Sequence, residues 1–148
     1  MRKDEQKIAW AIAEYLTLKH PDVIFRFDVA AGLKMTIGQA TVIKKKLLHK
    51  EGYPDLFIAE PRGKWHGLYL ELKKDRNEVY KKDGGRRKNK HVQVQRAMLD
   101  GLLKKGYAAT FCFGVDDCIN VIEGYLQGYS VYANILEAKI AEEEGGKL

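Results

Sequence analysis

The sequence predicts an α/β fold, a single mixed β-sheet flanked by helices, on three observations. Helical and strand patterning alternate along the chain in the order α-β-α-β-β-α-β-α-α. Two strand signals are consecutive, separated only by Pro61-Arg62-Gly63-Lys64-Trp65, a length that suits a β-hairpin. The 148 residues suffice for one core and leave little room for a second, so residues 1–148 are read as one domain.

Each element has its own signal. Ile8, Ile12, Tyr15 and Leu16 recur at helical spacing across 4–18, with Asp4 as the expected N-cap and His20-Pro21-Asp22 as the stop. Residues 23–29 alternate and are rich in β-branched and aromatic side chains, which predicts a strand. Gly32 and Gly38 punctuate a loop, and 39–50 read as a basic helix ending at Gly52. Residues 55–60 and 66–73 are the two arms of the hairpin. The stretch 75–90 is polar, basic and glycine-bearing, the composition of a mobile loop. A helix follows over 91–105 with Gly106 as its C′ residue, then a buried strand over 108–113. Asp116 is expected to open a helix through Gln127, and a last helix spans 131–143 before an acidic tail.

Composition narrows the class. Hydrophobic residues make up 45% and charged residues 31%, which excludes a disordered tail, and no apolar run approaches the roughly 20 residues that span a bilayer. The N-terminal MRKDEQKIAW lacks the apolar core of a secretory signal, so a cytoplasmic protein is expected, in the host cytoplasm if phage-encoded. Cys112 and Cys118 have neither metal-site spacing nor framework density and are expected to be buried free thiols. Net charge is +6, and 73–90 carries all of it, with nine Lys/Arg against three acids. Such an excess in one segment favours a polyanionic partner over an ordinary solvated loop.

The hairpin carries the chemistry. A turn centred near 63–64 sets Asp55 opposite residue 72, and a shift of one residue brings Glu71 or Lys73 across instead. Residues two apart on a strand share a face, so Glu71 and Lys73 point one way and Leu72 points into the core. Two carboxylates and an ammonium are thereby gathered at one sheet end. Burying them unpaired costs several kcal/mol each. A divalent cation removes that cost, and all-oxygen ligands favour Mg²⁺ or Mn²⁺ over zinc. A metal so held can activate water and neutralise charge on a phosphoryl oxygen, with Lys73 stabilising the same charge. The competing reading is plain strand-end salt bridging among Asp55, Glu71 and Lys73. His66 and His91 lack partners at metal spacing and are read as structural or surface residues.

Gly52-Tyr53-Pro54-Asp55-Leu56-Phe57, then Glu71-Leu72-Lys73, then Gln95 eleven residues before Gly106, resembles the virus-type replication–repair nuclease domain, VRR-NUC, a branch of the PD-(D/E)XK superfamily. The resemblance spans about residues 4–125 and implies a restriction-endonuclease-like core. It implies Asp55, Glu71 and the Leu72 carbonyl as metal ligands, Lys73 as the catalytic lysine and Gln95 as the glutamine that orders the site. It also implies an acid on the first helix as a further catalytic and metal ligand. Glu5 shares the apolar face of Ile8 and Ile12, whereas Glu14 faces solvent, so Glu5 is chosen. One departure concerns the glutamine region, His91-Val92-Gln93-Val94-Gln95-Arg96-Ala97-Met98, which lacks the family's Leu-Ser and tryptophan and makes Gln93 a rival.

The expected activity is a Mg²⁺-dependent endodeoxyribonuclease in DNA repair, with Mn²⁺ as a substitute and no nucleotide cofactor or membrane. Arg26, Lys74, Arg86, Arg87 and Lys88 are the expected phosphate contacts, and the Lys44-Lys45-Lys46 run is either that or a solvated helix face. The resemblance further implies selectivity for branched DNA, like a Holliday-junction resolvase, acting as a homodimer. Tyr125, Leu126 and Tyr129 offer either the apolar surface for such a dimer or closure of the domain's own core. The alternative is a non-catalytic DNA-binding module that keeps the fold. A basic protein-interaction domain would leave the Asp-Glu-Lys hairpin without a purpose.

Overall fold

The six residues Leu68–Lys73 are all buried, and this strand organises the molecule. A computed structural model describes residues 2–28, 34–47 and 51–128. In chain order the elements are α1 (Lys3–Lys19), β1 (Phe25–Phe27), α2 (Ile37–Lys46), β2 (Leu56–Ile58), β3 (Leu68–Lys73), α3 (Lys90–Lys104), β4 (Ala108–Phe113) and α4 (Gly114–Leu126). They form one four-stranded mixed sheet in the order β1-β2-β3-β4, antiparallel except for the parallel β3–β4 pair. A parallel neighbour needs a crossover, and the connection through α3 supplies it.

Both faces of β3 are covered, so its alternation sorts two environments rather than core from solvent. Leu68, Leu70 and Leu72 pack with Ile8, Ile12 and Leu16 of α1 and with Ile122 and Tyr125 of α4. Tyr69 lies on the other face with Val92 and Leu99 of α3 and with Ala109 and Phe111 of β4. Among the described residues no helix is long and apolar enough to cross a membrane.

Several boundaries differ from expectation for local reasons. Helix α1 starts one residue before Asp4 because Glu5 reaches back to accept from the Arg2 N–H at 3.0 Å, while Asp4 pairs with Lys74 Nζ at 3.2 Å. Helix α2 starts at Ile37 because Thr36 and Gln39 cap each other reciprocally, and it buries none of its residues. Its Lys44, Lys45 and Lys46 are exposed. Helix α4 starts at Gly114, with Asp117 Oδ2 accepting from the Phe113 N–H at 2.9 Å. Of the described residues 23–28, only 25–27 form strand, Val29 lies outside the described residues, and so does the expected helix over 131–143.

Two expectations are corrected, and one open alternative is decided. The 75–90 stretch is folded: a 3₁₀ turn at Arg76–Glu78 leads to a bridge between Tyr80 and Arg86, anchored by the fully buried Val79. Cys112 and Cys118 are joined in a buried disulfide rather than free. Gly114, at φ 77°, turns strand directly into helix and brings the two Cα atoms to 5.1 Å. Tyr125 closes the domain's own core, its hydroxyl donating to the Glu60 carbonyl at 2.5 Å, and Leu126 packs against the same cluster. Tyr129 lies outside the described residues.

Candidate active site

The register Leu56↔Leu70 centres the hairpin on residue 63, which puts Asp55 across from Glu71 rather than Leu72. Asp55 is held there by its own carboxylate, whose Oδ2 accepts from the Leu72 N–H at 2.8 Å. The approach to Asp55 is also fixed. Gly52, at φ 77°, lies so close to α3 that a Cβ would stand 3.0 Å from Val94 Cγ1 and from its carbonyl oxygen. Pro54 is fully buried.

Four polar side chains then meet in the interior: Glu71, Lys73, Gln95 and Glu5 are 3%, 4%, 5% and 8% exposed. Lys73 Nζ lies 3.5 Å from Glu71 Oε1 and 3.7 Å from Glu5 Oε1. Gln95 Nε2 donates to Glu71 Oε1 at 2.5 Å. Gln95 sits on the inward stripe of α3 with Val92, Arg96 and Leu99, whereas Gln93 is exposed, so the fold brings Gln95 and not Gln93 to the site. A polar residue on a helix's apolar stripe is the signal that would have drawn attention to Arg96 as well.

The electrostatics of the cluster are set by burial. Burial pushes Glu71 up to about 9, Asp55's charge adds to the rise, and Lys73 only partly opposes it. Burial also raises Asp55, against the hydrogen bond from Leu72. The two carboxyls lie within side-chain hydrogen-bonding reach, and burial with Asp55's charge favours the neutral form of Glu71. Gln95 Oε1 is buried without a hydrogen-bond partner among the described residues.

A hard divalent cation suits this donor set. Mg²⁺ is commonly held by one or two carboxylates, with water and substrate phosphate completing the shell. Asp55, Glu71 and the Leu72 carbonyl would hold it. Glu5, expected as a further ligand, lies beside this set: its oxygens face Lys73 and the Arg2 N–H, and its charge reaches Asp55. Among the described residues no cluster of three or more His, Cys, Asp or Glu side chains is arranged to hold a metal.

The expected phosphate contacts are dispersed. Arg26, Lys74 and Lys88 are exposed, Arg86 is half-buried, and the Arg87 Nε donates to the Asn77 carbonyl. His66 packs against Tyr107 and His91 is exposed at the start of α3, both outside the carboxylate cluster.

Among solved structures, one described as a "VRR_NUC domain protein" superposes with a TM-score of 0.58 at 24% identity, covering 83% of this chain and 88% of that chain. The chain therefore shares the fold of that VRR_NUC domain protein, an α/β fold built on one mixed sheet. No protein-family model matches the chain, and no curated protein matches it.

Proposed function

We propose that the chain is a Mg²⁺-dependent endodeoxyribonuclease that hydrolyses phosphodiester bonds in branched DNA. The observation that carries this reading is the buried cluster in which Glu71 lies 3.5 Å from Lys73 Nζ while Asp55, across the hairpin, is fixed by the Leu72 N–H. When bound there, Mg²⁺ supplies Lewis acidity and an activated water, and Mn²⁺ substitutes for it. The protein's own groups do the rest. Asp55 and Glu71 bind the ion and fix its position against the strand end. Gln95 orients Glu71 through its amide N–H. Glu5 holds Lys73, whose ammonium donates to the negative charge that develops on a phosphoryl oxygen. Arg26, Lys74, Arg86, Arg87 and Lys88 contact phosphates away from the reacting bond.

The wider assignment is a homodimer with two sites for the two strands of a DNA junction, working in DNA repair in the cytoplasm. The test is parallel digestion of four-way junction, flap, single-stranded and linear duplex DNA in Mg²⁺, Mn²⁺ and EDTA, with sedimentation of the same protein. Cleavage of the junction in either ion, and none in EDTA, is expected from a dimer. Undiminished cleavage in EDTA would overturn the metal mechanism. Binding without cleavage in any ion would favour a non-catalytic DNA-binding module. A monomer nicking junction and duplex equally would overturn the resolvase-like part alone.

A further inference from the structure

The aromatic side chains beside the carboxylates are largely enclosed, with one exception. Tyr69 projects from the face of β3 that also carries Glu71, which is two residues or roughly 7 Å further along the strand. Its ring stacks on that of Phe57 with centres 4.4 Å apart and meets that of Tyr107 at 5.4 Å, and Tyr69 is 8% exposed. Tyr53 stands edge-on to Tyr69, with ring centres 5.7 Å apart and planes at 86°, and its hydroxyl donates to the Tyr69 hydroxyl at 3.2 Å. Among the described residues the Tyr53 ring meets no other ring, and Tyr53 is 47% exposed.

One exposed ring is ordinary on a protein surface. The backbone that carries this one is not. Gly52 packs against Val94 of α3 with no room for a Cβ, and Pro54 is fully buried, so the chain is pinned on both sides of Tyr53. A proline also confines the residue before it to extended backbone. Immediately after Pro54, the Asp55 carboxylate is fixed by the Leu72 N–H. The ring is therefore set relative to Asp55 and Glu71 before anything binds, and a ligand that uses it bears little ordering cost.

A phosphodiester at the carboxylates brings a base on either side of it, and every base has a π face that an aromatic side chain can take. In an intact duplex both faces of a base are covered by its neighbours. A ring at this place can take only a base at a break in the stack, as in a junction, a flap or a single strand. The competing role for Tyr53 is to satisfy the hydroxyl of the buried Tyr69. That role needs the Tyr53 hydroxyl, whereas stacking needs only the ring, so substitution separates the two.

We infer that Tyr53 is a stacking platform for an unpaired nucleobase next to the phosphodiester that is cut. This rests on the reading of the chain as a nuclease and deepens it. The carboxylates take the phosphate, Tyr53 takes the base beside it, and unpaired nucleotides at the site become part of the substrate.

The experiment is equilibrium binding, in EDTA, of a short single-stranded oligonucleotide and of a long intact duplex to the full chain and to its Tyr53→Phe, Tyr53→Leu and Tyr53→Ala variants, with sedimentation and a thermal melt of each. Loss of a base–aromatic stack corresponds to about 5- to 150-fold in affinity. Tyr53→Ala and Tyr53→Leu should lose that much on the single strand and little on the duplex, while Tyr53→Phe stays within a few-fold of wild type. The oligonucleotide is then scanned with one abasic nucleotide at a time. One position should reproduce the loss in wild type and add nothing to it in Tyr53→Ala. If the Ala and Leu variants fail to fold, the scan of wild type and the Phe variant carries the test, and the same position must stand out in both. Tyr53→Phe falling as far as Tyr53→Ala overturns the platform, because the hydroxyl and not the ring is then what matters. A flat abasic scan, equal losses on the duplex, or a Tyr53→Ala protein that loses affinity only because its oligomeric state has changed also overturns it. So does absence of DNA binding by wild type, whatever its cleavage. A wild type that shows the coupled position yet cleaves in neither Mg²⁺ nor Mn²⁺ supports the platform and sinks the nuclease reading.

Discussion

Helix α1 carries a carboxylate network at each end, and the two are built to opposite specifications. Near its C-terminus, Glu123 of α4 accepts from Tyr15 Oη at 2.6 Å and from Gln127 Nε2 at 3.0 Å, and it meets His20 Nε2. Burial pulls Glu123 up, but those hydrogen bonds outweigh it and hold the carboxyl below its ordinary value. Near the N-terminus, Glu5 meets Lys73 and Glu71, and there burial and Asp55's charge win and Glu71 rises to about 9. The first network is complete without help and ties α1 to α4. The second is short of positive charge, and on the proposed reading a divalent cation would complete it. Whether a buried carboxylate is satisfied separates a clamp from a site.

The largest expected difference follows from removing one acid on each side. Asp55→Asn or Glu71→Gln should abolish Mg²⁺-dependent cleavage, a loss of at least about 10²-fold. Glu123→Gln should leave the cleavage rate of the folded protein near wild type and lower its melting temperature. Rate and melt together read the contrast. A Glu123→Gln protein as inactive as Glu71→Gln would erase it.

A smaller effect is expected at Gln95, which on the proposed reading only orients a ligand. Gln95→Ala should weaken Mn²⁺ binding by about 10- to 100-fold in calorimetry, while Gln93→Ala changes it little. Equal effects from the two would return the choice between them to open.

The last effect is in pH, and the two ends should respond with opposite sign. Glu71 has a folded value of about 9 against an ordinary 4.5, so its stabilising contribution is present at acid pH and lost as pH rises through 9. Glu123 is lowered, so its contribution is present above the ordinary carboxyl range and lost as pH falls. Melts in EDTA should show Glu71→Gln flattening the alkaline limb and Glu123→Gln flattening the acid limb. Because an ion bound by Glu71 must displace the proton that burial favours there, Mn²⁺ affinity should rise about tenfold per pH unit below that value. Affinity independent of pH between 6 and 8 would mean that Glu71 is already ionised.

The site was legible where its signal was periodic and local. Glu71, Leu72 and Lys73 alternate on one strand, and the short connection places Asp55 beside them. Which residue Asp55 faces depended on a turn centre that sequence leaves uncertain by one, and the Leu56↔Leu70 register resolves it. Glu5 was selected from its helical face, but its engagement with Lys73 and Arg2 is a tertiary fact. The disulfide was hidden because it depends on the immediate turn from β4 into α4 at Gly114, and the spacing of Cys112 and Cys118 carries no such information. The 75–90 stretch was misread because its Lys, Arg and Gly content obscures one apolar residue, Val79, which anchors it.

Lys73 offers the most direct test of the central claim, that the α1 N-terminal network is catalytic and not a second clamp. Single-turnover cleavage and equilibrium binding of Lys73→Ala should be measured on one junction substrate in Mg²⁺. An ammonium that acts on charge developing in the transition state predicts a loss of about 10²- to 10³-fold in rate with binding within a few-fold of wild type. Rate and affinity falling together would make Lys73 a phosphate anchor. A rate near wild type would make the network a clamp after all, and would contradict the account.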